Sequence, residues 1–169
     1  DILLSMNPSL PKNQAHVFSF EDTLAPVTNK QPGELRNFCF ILQENFSMMA
    51  LSSALDALRT ANLLSQETLY TYRLVSVDGE PVLSDLGFSA MADASLNELN
   101  LTHVDAFVIC GGLRVNLTAQ EALLKFLRAP LVRKKAMGSL WNGLFALAQA
   151  GLVEGKTGVV HRQNTESFP

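Results

Sequence analysis

The stretch AMGSLWNGLFALAQAGLVEG, residues 136–155, predicts a short buried strand, an abrupt turn and a helix that begins at once. The apolar run up to Leu140 suits a strand, and Asn142 is a good helix N-cap residue. Gly143 permits close backbone approach, and the glycines after the helical pattern favour its end. A strand that breaks so sharply into a helix presents one side chain, here Trp141, at the carboxyl edge of a sheet.

The side chain at that edge indicates what kind of site to expect. Ligands of open α/β sheets bind at the carboxyl edge, beside helix N-termini whose free N–H groups favour anions. Enzymes place a nucleophilic serine or cysteine at such an elbow. Because an indole cannot attack a carbonyl group, Trp141 predicts a site that binds a molecule without transforming it. A second interpretation, in which Trp141 fills the cavity of a former active site, stays open.

Composition indicates one folded domain that is not built to hold nucleic acid. The chain has 169 residues, 47% of them hydrophobic and 17% charged, with a formal net charge of −3. Nucleic-acid binding usually needs a basic face. The two cysteines, Cys39 and Cys110, lie in apolar runs, so we expect buried free thiols in a reducing cytoplasm. Since no apolar run is long enough for a membrane span, the sequence predicts a soluble, cytoplasmic protein.

Hydrophobic patterns divide the chain after residue 36 into strands and helices. Apolar or alternating runs predict strands over residues 37–42, 70–77 and 104–110, and Ser47 is suited to cap a helix that ends near Asn62. A hairpin is expected over residues 81–91, and one or two helical turns over 92–99. A Thr118–Glu121 capping box predicts the start of a helix that Pro130 ends, and a last strand is expected over 156–160. This order predicts an α/β fold with a doubly wound, mainly parallel sheet flanked by helices. Residues 1–36, which lack a sustained period, predict an extended or partly ordered arm.

Other residues fall at the predicted carboxyl edge. Glu44 follows the first strand, and Gly111 and Gly112 follow a later strand, where paired glycines leave room for backbone N–H groups to face a ligand. His161 ends the last predicted strand. Each has a structural alternative. Glu44 suits a solvated helix start, the glycine pair suits an ordinary turn, and His161 suits a hydrogen-bonded structural histidine.

Trp141 and Glu44 together indicate the chemistry of the ligand. An aromatic face attracts a cation by roughly 0.5–2 kcal/mol, and a carboxylate adds the opposite charge. We therefore expect a small nitrogen-containing metabolite of the amino acid, betaine or amine class. Asn142, beside the indole, is expected to cap the helix and to lie where it can contact this ligand. We expect no cofactor and no metal, since the sequence has no dinucleotide fingerprint, phosphate loop or zinc-ligand spacing.

Three segments together resemble a known family. They are FILQENFSMMALSSALDALRTAN (residues 40–62), VDAFVICGG (104–112) and MGSLWNGLFALAQAGLVEGKTGVVH (137–161). They resemble the amidotransferase-like sensor domain of AraC-family transcriptional regulators. That domain belongs to the ThiJ/PfpI superfamily, which is related to class I glutamine amidotransferases. The resemblance implies a flavodoxin-like fold of the ThiJ/PfpI type.

The resemblance also implies roles for residues at the sheet edge. Enzymatic members carry a cysteine at the elbow, which a carboxylate near the end of the first strand and a histidine assist. The matching positions are Trp141, Glu44 and His161, with Gly111 and Gly112 in the loop that would stabilise an oxyanion. Tryptophan removes the thiolate on which that chemistry depends, so the resemblance favours the regulatory branch and no catalytic residue.

Three functions stay open at this point. The first is a non-catalytic, ligand-sensing domain of a bacterial regulator, which forms a homodimer and shifts attached DNA-binding helices. The second is an amidase or hydratase of the same superfamily that uses Glu44 and His161 with water. The third is a dimerisation module whose pocket Trp141 has filled.

Regulators of this family carry two helix-turn-helix motifs after the sensor domain, and their sensor domains continue past the segment that matches TESFP. Neither feature occurs in the sequence. We therefore expect a sensor domain over residues 37–169 that is truncated at its C-terminal end. DNA would be contacted only through a helix-turn-helix domain outside this chain.

Overall fold

The structure, a computed structural model, describes residues 34–160 and 162–169. The predicted arm therefore lies almost wholly outside the described residues, and Arg36 already opens the first strand. The helices and strands are β1 (Arg36–Leu42), α1 (Met48–Ser65), β2 (Tyr70–Ser76), β3 (Val82–Leu83), β4 (Ser89–Ala90), β5 (Ala94–Ser95), β6 (Ala106–Cys110), α2 (Glu121–Arg128), β7 (Ala136–Leu140) and α3 (Gly143–Gln149). Short 3-10 helices cover Leu96–Glu98, Leu101–His103, Val132–Lys134 and Arg162–Ser167. None of the helices in the described ranges has the length and apolarity that a membrane span requires.

Five strands form one parallel sheet in the order β5-β2-β1-β6-β7. β1 lies at its centre, with Phe40 paired to Leu74 of β2 on one side and to Val108 of β6 on the other. The chain runs outward from β1 to β2 and β5, and then starts again on the other side at β6. This reversal between β1 and β6 is the place where ligands of open α/β sheets bind, outside the carboxyl ends of the strands.

Alternating strand residues bury both faces of the sheet. On one face Phe40 packs with Leu51 of α1. On the other face Ile41 packs with Leu127 of α2 and Leu147 of α3. Because helices cover both faces of a parallel sheet, the predicted doubly wound α/β fold is confirmed.

The first helix begins where the sequence predicts and ends slightly later. Ser47 is its N-cap, and the Ser47 hydroxyl accepts a backbone N–H of the first turn at 3.4 Å. The helix runs past Asn62 to Ser65 because Asn62 binds backbone of the next strand instead of ending the helix. Asn62 Nδ2 donates to the Tyr70 carbonyl at 2.7 Å, and Asn62 Oδ1 accepts from the Tyr70 N–H at 2.9 Å. This amide ties the end of α1 to the start of β2.

The expected hairpin is formed by β3 and β4, and it docks on the turn after β1. The Asn45 N–H donates to the Leu83 carbonyl at 2.8 Å, and the Asp85 N–H donates to the Phe46 carbonyl at 2.9 Å. Asp85 Oδ1 also accepts from the Met48 N–H at 3.1 Å. A carboxylate thus satisfies a free N–H in the first turn of α1 and opposes the positive end of its dipole. This second cap was not predicted.

The predicted capping box is wrong. α2 begins at Glu121 with Gln120 at the N-cap position, and no side chain caps it. The reason is tertiary, since Gln149 Oε1 of α3 accepts the Ala119 N–H at 3.0 Å and fixes the chain before the helix. Thr118 therefore lies two residues too early to act as the N-cap.

Two other local predictions need correction. Residues 156–160 form no strand, because this segment packs over α3, where Gly158 lies against the Leu144 side chain, and does not pair with β7. Where one or two helical turns are expected over residues 92–99, only the 3-10 helix Leu96–Glu98 forms. The residues before it pair with β2 as the edge strand β5.

Candidate functional site

The elbow predicted at Trp141 is present. β7 ends at Leu140, Trp141 has a φ of 50°, and α3 begins at Gly143. A left-handed conformation costs an L-residue about 1–2 kcal/mol, so packing around the turn must hold it there. The indole is 39% exposed. It therefore presents part of its surface to solvent and does not fill a sealed cavity.

Glycines around the elbow let three backbone segments touch. A Cβ atom on Gly143 would overlap the Ile109 carbonyl oxygen, and one on Gly111 would overlap the Gly143 nitrogen. A Cβ atom on Gly112 would overlap the Asn45 carbonyl oxygen. The ends of β1, β6 and β7 can therefore meet at this edge only with glycine at these three positions.

The glycine pair does not offer its first N–H group to a ligand, contrary to the expectation from the sequence. The Gly111 N–H donates to the Leu140 carbonyl at 3.0 Å, which continues the pairing of β6 with β7. The Gly111 carbonyl accepts from the Ser47 N–H at 3.0 Å. Close packing at the turn, rather than an open N–H group, accounts for glycine at position 111.

Asn142 occupies the N-cap position of α3, but its side chain does not cap the helix. Its Nδ2 donates to the Gly112 carbonyl at 3.1 Å, and its Oδ1 accepts from Asn164 Nδ2 at 2.8 Å. The residue is buried. Because both ends of the amide are bound inside the protein, Asn142 holds the elbow to the loop after β6 and to the C-terminal segment.

Glu44 and Trp141 lie at the same edge of the sheet, separated by the end of β6. Glu44 is exposed in the turn that follows β1. The Gln43 N–H donates to the Cys110 carbonyl at 3.2 Å, so strand pairing continues up to this turn. Neighbouring strands are about 4.8 Å apart, so the ends of β1 and β7 lie about 10 Å apart on either side of β6. Glu44 and Trp141 follow these two ends, and the buried glycine pair follows β6 between them.

Gln43, which directly follows β1, carries a buried donor. Its Nε2 is buried and, within the described part of the chain, has no hydrogen-bond partner. The hydroxyl of Ser84 is also buried without a hydrogen-bond partner among the described residues; Ser84 belongs to the docked hairpin and pairs with Phe46. An unsatisfied buried polar group costs about 1–3 kcal/mol, so these two groups lower the stability of this part of the fold.

His161 lies outside the described residues. The segment after it reaches the site through Asn164, and Phe168 packs edge-on against Phe145 with ring centroids 5.3 Å apart. Sequence analysis missed Asn164 and also Gln149, which binds the loop before α2. No local pattern marks such residues, because their partners are 20 or more residues away in the chain.

Neither cysteine is placed to react. Cys39 and Cys110 are free and buried, as the sequence predicts. Burial raises the pKa of Cys39 to about 12, partly opposed by the nearby Arg73, and burial also raises the pKa of Cys110. The reactive thiolate is therefore suppressed at neutral pH. Among residues 34–160 and 162–169, no three His, Cys, Asp or Glu side chains are grouped to hold a metal ion.

We expect neither thiol of the folded protein to react readily with an aromatic disulfide reagent at pH 8, whereas both react once urea unfolds the chain. The absorbance of the released thiolate measures this. The pKa of Cys39 rises from 9.0 to about 12 on folding, so its stabilising contribution is complete below pH 9.0 and is lost as the pH rises toward 12. Rapid labelling of one thiol in the folded protein would contradict the burial described.

The site can now be compared with known proteins. Residues 36–167 match the DJ-1/PfpI family. The HTH-type transcriptional regulator GbdR of Pseudomonas aeruginosa is 33% identical over 151 residues, which cover 87% of this chain and 41% of that protein. The crystal structure of an AraC family transcriptional regulator from Pseudomonas putida has a TM-score of 0.70 and 36% identity, over 79% of this chain and 70% of that chain.

A more distant structure shows the fold alone. The ThiJ/PfpI domain protein from Brachyspira murdochii has a TM-score of 0.66 at 18% identity, over 80% of this chain and 75% of that chain. The predicted ThiJ/PfpI type of fold is confirmed. The chain spans about two fifths of the length of GbdR, at 41%. It belongs to the DJ-1/PfpI family, and transcriptional regulators are among its relatives.

Proposed function

We propose that this chain is the ligand-sensing and dimerisation domain of a bacterial AraC-family transcriptional regulator and that it catalyses no reaction. Tryptophan at the elbow carries the proposal, because an indole offers no nucleophile where the enzymes of the superfamily have a cysteine. The similarity to GbdR and to the Pseudomonas putida regulator supports the regulatory role. DNA is contacted through a separate helix-turn-helix domain.

The proposed ligand is a small nitrogen-containing metabolite of the amino acid, betaine or amine class. The exposed part of the Trp141 indole can face a cationic nitrogen, and the Glu44 carboxylate at the same edge of the sheet adds the opposite charge. A molecule with a cationic nitrogen, such as an amino acid, a betaine or an amine, suits these two groups.

A homodimer is part of the proposal. Leu86, Phe88 and Met91 in and beside the docked hairpin are 62%, 67% and 71% exposed. Exposed apolar side chains so close together in the chain support an interaction surface. A ligand that binds beside the hairpin regulates the protein by shifting the dimer between two arrangements. This requires that the ligand has a different affinity for each arrangement.

The first test is a titration with amino acids, glycine betaine, carnitine and polyamines, read by Trp141 fluorescence and by thermal stability. Trp141 is the only tryptophan, so its emission reports directly on the elbow. We expect one class of these compounds to give a saturable change in both signals. Glu44→Gln should weaken binding about fivefold, which corresponds to about 1 kcal/mol for a partly screened charge. Glu67→Gln makes the same charge change at an exposed position before β2 and should leave the affinity unchanged.

Calorimetry completes the test, because Trp141→Leu removes the fluorescent probe. This variant should bind the same ligand much more weakly. The absence of any stabilising compound would overturn the ligand assignment, and a monomeric mass at micromolar concentration would overturn the homodimer. Hydrolysis or hydration of small substrates that disappears in Glu44→Gln would instead establish the enzymatic alternative.

A further inference from the structure

A cavity of about 300 Å³ lies on the α2–α3 face of the sheet, far from the elbow. Cys39 of β1 and Arg73 of β2 pair in register and line it, together with His103 of the 3-10 helix Leu101–His103 and the residues that flank that helix. Cys39 precedes Glu44 by five residues, which corresponds to roughly 15 Å along an extended strand. The cavity is therefore a separate site and not an extension of the carboxyl edge.

Several polar side chains that line this cavity can donate hydrogen bonds. Arg73 and His103 line it and are exposed, and within the described part of the chain neither side chain has an ion-pair partner. Asn37 Oδ1 already accepts the Thr71 hydroxyl, and Asn100 Oδ1 accepts a backbone N–H at 3.1 Å. The Nδ2 groups of both asparagines are left to donate. A ligand that fits this wall must be rich in acceptors.

Two carboxylates near the cavity bind backbone N–H groups instead of forming an ion pair with Arg73 in the described part of the chain. Asp105 Oδ2 accepts the Asn37 N–H at 2.7 Å, and Asp93 Oδ2 accepts the Leu74 N–H at 2.7 Å. Neither aspartate lines the cavity. The Cys39 thiol at its floor is neutral near pH 7, because burial raises its pKa to about 12. Arg73 is the one permanently charged side chain among the described residues that line the cavity, and the His103 imidazole lines it too.

We propose that this cavity binds a small metabolite with a carboxylate or phosphate group, as a second effector site separate from the carboxyl edge. The guanidinium fork of Arg73 matches two oxygens of such a group, and charge-assisted bonds of this kind are the strong ones. His103 and the two asparagine Nδ2 groups supply donors to the remaining oxygens. Leu99 and Val104 give the wall an apolar part, and the volume is at the small end of ligand pockets, so the ligand is small.

The test uses this chain with succinate in one arm and inorganic phosphate in the other, at constant ionic strength adjusted with sodium chloride. We expect one anion to raise the melting temperature in a saturable way, and the arm that responds identifies the head group. Arg73→Gln should weaken its binding about tenfold or more in calorimetry, whereas Arg73→Lys should retain part of the affinity. His103→Ala should weaken binding independently of the Arg73 substitution.

Two controls separate this site from other causes. Arg133→Gln removes the same charge from an exposed position in Val132–Lys134, outside the cavity, and should bind the anion like the wild type. Trp141→Leu should also leave anion binding unchanged. The proposal for the cavity is therefore tested independently of the proposal for the elbow site. Equal loss of binding in Arg73→Gln and Arg133→Gln would overturn the proposal, as would stabilisation that never saturates in either arm.

Discussion

Gly143→Ala is expected to destabilise the protein by about 3 kcal/mol or more, or to prevent folding. The new Cβ atom would overlap the carbonyl oxygen of Ile109 in the central part of the sheet. Both atoms belong to rigid backbone, in the first turn of α3 and in β6, so no flexible side chain can move aside. Relief requires α3 to lift away from the sheet. Urea unfolding followed by circular dichroism measures the loss, and the 222 nm signal shows whether the variant folds.

Gly138→Ala is the matched control. Gly138 lies in β7, five residues earlier, and a Cβ atom there would have only the Val108 side chain within reach, at 4.0 Å. Alanine also restricts the unfolded chain, so this variant should be neutral or more stable by about 0.5–1 kcal/mol. A Gly143→Ala protein as stable as the Gly138→Ala protein would show that the close contact between α3 and β6 is absent.

Leu51→Ala is expected to lower the free energy of unfolding by about 2–5 kcal/mol. Leu51 is 2% exposed and packs in the first turns of α1 with Phe40, Phe46 and Val82. Removing its branched end leaves a cavity between the helix, β1 and the docked hairpin. Backbone hydrogen bonds join the turn around Phe46 to the hairpin. The neighbouring side chains therefore cannot move freely into the cavity.

Leu64→Ala provides the control in the same helix. Leu64 is 78% exposed near the end of α1, and alanine is the better helix former. Its unfolding free energy should stay within about 0.5 kcal/mol of the wild type. Similar losses in both variants would show that burial against β1 does not determine the effect.

The elbow is held by backbone packing. Trp141 has a positive φ, and Gly111 and Gly143 make the close backbone contacts that hold the turn. Such a turn presents one side chain at the carboxyl edge, and an aromatic side chain there is suited to binding.

Local sequence patterns were sufficient to predict the elements whose conformation depends on nearby residues. The apolar runs of β1 and β6, the Ser47 cap and the elbow at Trp141 all lie where the sequence predicts. In each case the deciding contacts involve residues close in the chain or the simple alternation of a buried strand. The predictions for residues 118–121 and 156–160 failed because distant groups determine those segments.

The sequence by itself determined the doubly wound fold, the buried thiols and the position of tryptophan at the carboxyl edge. Only the tertiary structure decided the roles of Asn142 and the glycine pair, since the partners of these residues lie in other segments of the chain. The same holds for the cavity around Arg73, which β1, β2 and the segment before β6 form together. The hydrophobic periodicity of the sequence indicates which face of a helix or strand is buried. A binding site depends instead on which helices and strands the fold brings side by side.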